Sequence, residues 1–323
     1  MRNRRHVAYA RHALVDALRM CGVGAGSNVL IPDFICRDVL ASFRAVGADV
    51  SYYGIGPDLQ IRPGQTFPGA DALLAVNYFG FPADIPRLRL AVGNTTTIIE
   101  DNAHGWLSVA TDGVALGGRT SISITSIRKT IFAPDGALLE WEADDFPEVS
   151  PVDGQSTPRH DPLGPAFHAR SLALRLERAT GLPVRHVLRI ATRLARRSLG
   201  RASIDDRPQD EMVLPDEEVI HAESLRRFAH VDPDREAARR RELFRRCLHL
   251  ATRYGVSPVV PSLPAGVVPM GFPFFRGHDG DQRFVRNIHL RGIGEVISWP
   301  ALPESTTLPA DSPLRSLRLV NFL

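Results

Sequence analysis

The stretch ISITSIRKTIFAPDGALLEW, from Ile122 to Trp141, contains two strand-like apolar runs separated by a lysine and a glycine turn. The first run alternates hydroxyl and branched apolar side chains, a pattern typical of a β-strand. Lys129 follows that run, and the Pro-Asp-Gly turn precedes the second one. The stretch therefore predicts a lysine held at the edge of a sheet, where it could take part in covalent chemistry.

Strand and helix patterns alternate upstream of this stretch. The helical runs AYARHALVDALRMCG and CRDVLASFRAVGA are followed by the strand-like runs NVLIP and DVSYYGI, respectively. Further strands are predicted in ALLAVNYFG and TTIIED. The alternation predicts an α/β fold with a mostly parallel central sheet and helices on both faces. Such sheets bind ligands at the carboxyl ends of their strands.

The pattern changes after Trp141. An acidic, proline-rich stretch leads into helical runs, and DPDREAARRRELFRRCLHLATRYG predicts a long helix with Asp232 as its N-cap and Gly255 at its end. Short strands then alternate with a helix. We expect a large α/β domain core at 1–145, an Arg-rich helical connecting region at 146–232 and a small α+β C-terminal domain at 233–323.

Composition excludes several classes of protein. The 323 residues are 44% hydrophobic and 23% charged with a net charge of +3, which is ordinary for a globular chain and too weakly basic to indicate a nucleic-acid partner. The three cysteines have no metal-ligand spacing, so we expect no metal site and a reduced, cytoplasmic protein. No run reaches the roughly 20 apolar residues of a membrane span, and we expect no signal peptide.

Arginines recur every four residues in the run VRHVLRIATRLARRSLG, at Arg185, Arg189, Arg193 and Arg197. Residues spaced in this way form one ridge along a helix. The ridge is either a solvated face or an anion site, for example for the diphosphate of a nucleotide-linked substrate. The sequence leaves both interpretations open.

Three signals fall where this fold would place an active site. Asp101 closes an apolar strand with His104 three residues later, Ser126 precedes Lys129 by three residues, and a helix begins near Ala10. Pyridoxal 5′-phosphate (PLP) needs a lysine amine for its aldehyde, a carboxylate for its pyridine nitrogen and a helix N-terminus for its phosphate. The combination predicts a PLP site.

Four segments carry a family resemblance. RHALVDALRMCGVGAGSNVLIPDF is similar to the first helix and "GVGPGDEVIVP" strand of the DegT/DnrJ/EryC1/StrS family of PLP-dependent aminotransferases, often called sugar aminotransferases. VNYFGFPADI resembles that family's "HLYGxPADM" segment, and IIEDNAHG resembles its "IEDAAQAHG". SIRKTIFAPDGALL is similar to its Schiff-base lysine and the following "GDGG" turn. The resemblance covers most of the chain and implies a fold-type I PLP-dependent transferase.

The resemblance implies roles for single residues around the ring. Lys129 would form the Schiff base and move the proton between substrate and cofactor carbons. Asp101 would pair with the pyridine nitrogen, and His104 would lie beside the ring's hydroxyl face. Cys36 occupies the place of the family's ring-stacking aromatic residue.

Other roles concern the phosphate and the substrate. Ser126 would bind the phosphate, with Ser123 and Thr125 as local rivals. Ala10 and Arg11 stand where the family has Gly-Thr at the helix start, and His12 follows them, so backbone N–H groups and the Arg11 charge would contact the phosphate there. Tyr78 and Phe79 are either substrate contacts or packing residues at a strand end.

The implied reaction moves an amino group from an amino acid such as glutamate to a keto-sugar, carried on a nucleotide, or to a related keto acceptor. The resemblance also implies a homodimer that shares its active sites between subunits. Two alternatives stay open. One is a PLP enzyme with a different reaction or acceptor in natural-product tailoring, and the other is a non-catalytic homologue that acts as a binding or scaffold protein.

Overall fold

The computed structural model describes residues 1–67, 69–146, 157–188, 213–299 and 301–323. Its larger sheet has seven strands in the order β1-β7-β6-β5-β4-β2-β3. The strands β2 to β6 are parallel to one another, whereas β7 is antiparallel to both β1 and β6. The bounds are Arg2–Val7 (β1), Asn28–Pro32 (β2), Asp49–Tyr53 (β3), Ala72–Val76 (β4), Thr97–Asp101 (β5), Ile122–Thr125 (β6) and Ala137–Glu142 (β7). The predicted mostly parallel sheet is confirmed.

Parallel strands explain why the chemistry-bearing residues meet. Because β4, β5 and β6 run in the same direction, their carboxyl ends lie at the same edge of the sheet. Asp101 is the last residue of β5, and Ser126 directly follows β6. The strands are buried on both faces, as their continuous apolar runs predict.

Helices connect and cover the strands. The bounds are Ala10–Met20 (α1), Leu40–Val46 (α2), Ile85–Val92 (α3), Pro165–Thr180 (α4), Ala222–Ala229 (α5), Pro233–Tyr254 (α6) and Asp281–Leu290 (α7). The predicted caps of α6 are confirmed. The Asp232 carboxylate accepts a hydrogen bond from the Arg235 N–H at 3.0 Å, and Gly255 ends the helix in the left-handed region.

A second sheet of three antiparallel strands lies in the C-terminal part of the chain. Its order is β8-β10-β9, with bounds Gly271–Phe275 (β8), Glu295–Ser298 (β9) and Leu317–Asn321 (β10). Phe244 of α6 packs between Phe81 and Phe272, with ring centroids 5.9 and 5.1 Å away. A single hydrophobic core therefore continues from the larger sheet into the smaller one.

Two polar contacts tie the C-terminal part to the carboxyl edge of the larger sheet. The Met270 N–H donates to the Phe79 carbonyl at 2.8 Å. The fully buried Arg240 donates to the carbonyls of Thr130 and Met270. The boundaries at 145 and 232 stay a prediction. Among the described residues, no helix has the length and apolar character needed to cross a membrane.

Candidate active site

A cavity of about 310 Å³ lies at the carboxyl edge of the larger sheet, at the lower end of the roughly 300 to 1,000 Å³ usual for small-molecule sites. Its wall comes from the start of α1, the ends of β4, β5 and β6, and the C-terminal segment. Seven of the predicted site residues line it: Lys129, Asp101, His104, Ser126, Arg11, Cys36 and Tyr78. The cavity thus brings together residues far apart in sequence.

Lys129 ends a short 3-10 turn, Ile127–Lys129, which directs the chain out of β6. Its Nζ lies 3.1 Å from Nε2 of His104. The other ring nitrogen of His104, Nδ1, accepts the Phe79 N–H at 3.3 Å. A neutral imidazole carries one proton, so this proton sits on Nε2 and points at Nζ. The contact holds the lysine amine in place at the cavity wall.

His104 is held rigidly in the neutral form. Burial, and to a smaller extent the charge of Lys129, holds its pKa well below the usual value. Its ring stacks on Phe79 at a centroid distance of 5.7 Å with 2° between the planes. The imidazole is therefore fixed as a hydrogen-bonding group at the cavity wall.

Asp101 faces the same cavity from the end of β5. One carboxylate oxygen, Oδ1, accepts the Ala103 N–H at 2.9 Å. Burial raises the pKa of Asp101, and the nearby charge of Lys129 partly opposes this rise. The charge of Lys129 acts on the pKa of Asp101, but the two side chains form no salt bridge. The cavity therefore leaves space between them.

The helix α1 begins at another part of the wall. Its N-cap, Tyr9, provides no side-chain hydrogen bond to the first helical N–H groups. Arg11 lines the cavity, and its guanidinium donates to the Val213 carbonyl at 3.0 Å. Ser126 is buried nearby at the end of β6. A helix start without a side-chain cap, with a hydroxyl and cations beside it, is suited to an anion.

Two predicted site residues do not line the cavity. Nε2 of His12 lies 2.9 Å from the Pro215 carbonyl, and Phe79 is buried behind His104. The roles assigned to both residues remain predictions. Arg185 forms a salt bridge with Glu177 at 2.7 Å. The other members of the arginine ridge, Arg189, Arg193 and Arg197, lie outside the described residues.

Cys36 lines the cavity, but its small side chain offers no aromatic face. Burial raises the pKa of its thiol, with a smaller contribution from Asp38, so the thiol stays protonated. Trp299, which follows β9, supplies the aromatic surface instead. Its ring stacks on Phe34 at 5.0 Å and stands perpendicular to His104 at 5.8 Å.

Trp299 and Arg128 are two of the cavity residues that sequence reasoning missed. Trp299 lies 170 or more residues beyond the other site residues, so only the packing of the C-terminal segment shows where it goes. Arg128 had a local signal, because it directly precedes Lys129. A further signal is that Lys129 is the only lysine among the 39 basic residues of the chain.

The donor set of the cavity fits PLP. A lysine amine, a buried carboxylate and a hydroxyl beside a helix N-terminus match the aldehyde, the pyridine nitrogen and the phosphate of that cofactor. The guanidinium of Arg128, whose Nε has no hydrogen-bond partner, adds an uncompensated positive charge at the wall. Within the described part of the chain, no group of three or more His, Cys, Asp or Glu could hold a metal ion.

No known family profile and no curated protein matches the sequence. Solved structures do resemble the fold. A DegT DnrJ EryC1 StrS aminotransferase from Brucella abortus superposes with a TM-score of 0.59 at 17% identity, over 99% of this chain and 80% of that one.

Two further solved structures also superpose over 99% of this chain. For the sugar aminotransferase CalS13 from Micromonospora echinospora the TM-score is 0.56 at 18% identity, with 82% of that chain covered. For the PLP form of Spr1654 from Streptococcus pneumoniae the TM-score is 0.57 at 13% identity, with 81% covered. The chain therefore has the fold of these aminotransferases, which confirms the predicted fold class.

Proposed function

We propose that this chain is a PLP-dependent aminotransferase of the DegT/DnrJ/EryC1/StrS class. It transfers an amino group from an amino acid such as glutamate to a keto-sugar, carried on a nucleotide, or to a related keto acceptor. The observation that carries the proposal is the placement of the only lysine. In a chain with 38 arginines, the one primary amine of a side chain lines the same cavity as a buried carboxylate, at the sheet's carboxyl edge.

The placement matters because arginine serves as well as lysine in most surface positions, but its guanidinium is always charged and is a poor nucleophile. A lysine amine forms a covalent bond with a carbonyl once it is uncharged. The contact of 3.1 Å between Nε2 of His104 and Nζ holds this amine at the cavity wall. Lys129 is thus suited to bind the aldehyde of the cofactor and then to move a proton.

Bound PLP would supply the electron sink that stabilises negative charge on the substrate carbon. Asp101 would hold a proton on the ring nitrogen, since its carboxylate ends β5 inside the cavity. His104 would orient the lysine amine, and the walls from Tyr78 and Trp299 would exclude water. Ser126 and the start of α1 would bind the phosphate.

The same proposal includes the partners, the cellular location and the oligomeric state of the enzyme. Its partners are a small-molecule amino donor and a keto acceptor, and the enzyme acts in the cytoplasm as a homodimer. The fold shared with the aminotransferases supports the small-molecule donor and acceptor.

The proposal is tested by adding PLP to the purified protein. We expect an absorbance band of a lysine adduct, which glutamate shifts to the band of the aminated cofactor, and amine transfer to a keto-sugar in a coupled assay. Lys129→Ala and Lys129→Arg should lack the band. A band with no response to amino donors would favour a binding homologue, and absence of the band in the wild-type protein would contradict both enzyme interpretations.

A further inference from the structure

Arg128 is a half-buried cation, and its Nε atom is fully buried. Among the described residues its side chain makes no salt bridge, and its Nε has no hydrogen-bond partner. Its guanidinium lies over the Tyr9 ring at 5.3 Å and lines the cavity. Burial lowers the pKa of Arg128, and the Arg11 charge lowers it further. Leaving a charge unpaired in this way costs folding free energy, so a ligand is the natural compensation.

The carboxylates near Arg128 do not neutralise it. Asp135 is occupied by Arg159 at 2.9 Å, by the Ser224 hydroxyl at 2.6 Å and by the His221 N–H. Asp38 acts on Arg128 only through longer-range attraction. The local excess of positive charge therefore faces the cavity.

The position of Arg128 indicates which ligand group it meets. The guanidinium of Arg128 makes a cation–π contact with the ring of Tyr9, which is the N-cap of α1. The Tyr9 side chain makes no hydrogen bond to the first N–H groups of that helix. The helix start, Ser126 and Arg128 thus lie on one wall of the cavity. Helix dipole, hydroxyl and guanidinium together favour an anion with several oxygens, such as a phosphate.

We propose that Arg128 is the counter-charge that binds the phosphate of the cofactor, so that this chain places its phosphate-binding arginine directly beside its reactive lysine. The inference rests on the proposed function. It assigns the phosphate contact to Arg128 in addition to Arg11, whose guanidinium is held by the Val213 carbonyl.

The test compares PLP with pyridoxal, which has the same aldehyde and ring but no phosphate. Equilibrium constants for both are measured by titration from the absorbance of the lysine adduct, in wild-type protein, Arg128→Met and Arg128→Lys. Arg245→Met, at an exposed position outside the cavity, is the control. Circular dichroism checks that each variant is folded.

We expect Arg128→Met to weaken PLP binding about 30-fold, the loss typical of one charged hydrogen bond, and to leave pyridoxal binding unchanged. Arg128→Lys should retain part of the preference for PLP, and added inorganic phosphate should compete with PLP in the wild-type protein only. Equal weakening of PLP and pyridoxal would overturn the inference, because Arg128 would then only support Lys129. Unchanged PLP binding in Arg128→Met would also overturn it, while the proposed function would stand. A wild-type protein that binds neither compound would overturn both.

Discussion

The Nε2 atom of His104 lies 3.1 Å from Nζ of Lys129, while the backbone N–H of Phe79 donates to Nδ1 of the same ring. The backbone donor fixes which ring nitrogen carries the proton. One hydrogen bond from a loop at the end of β4 thereby orients the imidazole ring that contacts the lysine amine beyond the end of β6. The relationship links the parallel sheet directly to the chemistry that we propose.

His104 should make the stability of the protein depend on pH. Burial holds its pKa in the folded protein well below the usual value, which the unfolded chain recovers. Below about pH 6.5 the unfolded chain therefore binds a proton that the folded protein does not, and the free energy of unfolding falls as the pH decreases. We expect urea unfolding between pH 7 and pH 5 to show this loss.

The variant His104→Gln cannot titrate and should lose less stability over that range. His278→Gln, at an exposed position outside the cavity, is the control. An unchanged pH dependence in His104→Gln would show that His104 is not held neutral in the folded protein.

Asp101→Asn should separate activity from stability. Burial raises the pKa of Asp101, so the folded protein bears a cost for keeping this carboxylate charged. We expect the neutral amide to keep or raise the melting temperature of the cofactor-free protein, whereas transamination should fall at least 100-fold, or about 3 kcal/mol in activation free energy. A variant that loses stability and activity together would contradict the proposed role and indicate a structural one.

The fluorescence of Trp299 should change when PLP occupies the cavity. It is one of three tryptophans in the chain, and it alone lines the cavity among the described residues. Binding of PLP should quench part of the tryptophan fluorescence, and Trp299→Phe should remove most of that quenching while it keeps the aromatic contact with Phe34. Trp106→Phe serves as the control, and equal quenching in Trp299→Phe would place the ligand elsewhere.

Arg240 should be needed for folding. Its guanidinium is fully buried and bonds the Glu236 carboxylate at 2.8 Å, as well as the carbonyls of Thr130 and Met270. Arg240→Met leaves Glu236 with fewer partners and should cost about 3 to 5 kcal/mol of unfolding free energy, the usual loss on breaking a buried ion pair. Arg245→Met removes only an exposed partner of Glu242 and should change the free energy of unfolding by less than about 1 kcal/mol. A small effect of Arg240→Met in urea unfolding would contradict this assignment.

The sequence predicted the parts of the structure that local rules determine. Alternating runs located the strands that end at Asp101 and Thr125, and the capping signals placed the long helix after Asp232. Because parallel strands bring their carboxyl ends to one edge, the convergence of Asp101 and Lys129 on one cavity also followed from the pattern.

The remaining features depend on packing across large sequence separations. The aromatic wall comes from Trp299, which reaches the cavity only because the C-terminal segment packs over the edge of the larger sheet. The hydrogen bond between His104 and Lys129 depends on side-chain orientation, which periodicity does not encode. Arg128 was hidden because a basic residue beside a lysine usually indicates a solvated turn.

The most direct measurement is to reduce the complex of protein and PLP with borohydride and to locate the modification by peptide mass spectrometry. The chain offers one lysine, so the only competing amine is that of Met1, which is exposed. The account predicts a single phosphopyridoxyl group on Lys129, formed with one equivalent of PLP and absent from Lys129→Arg. Modification of Met1 alone, or none at all, would contradict it.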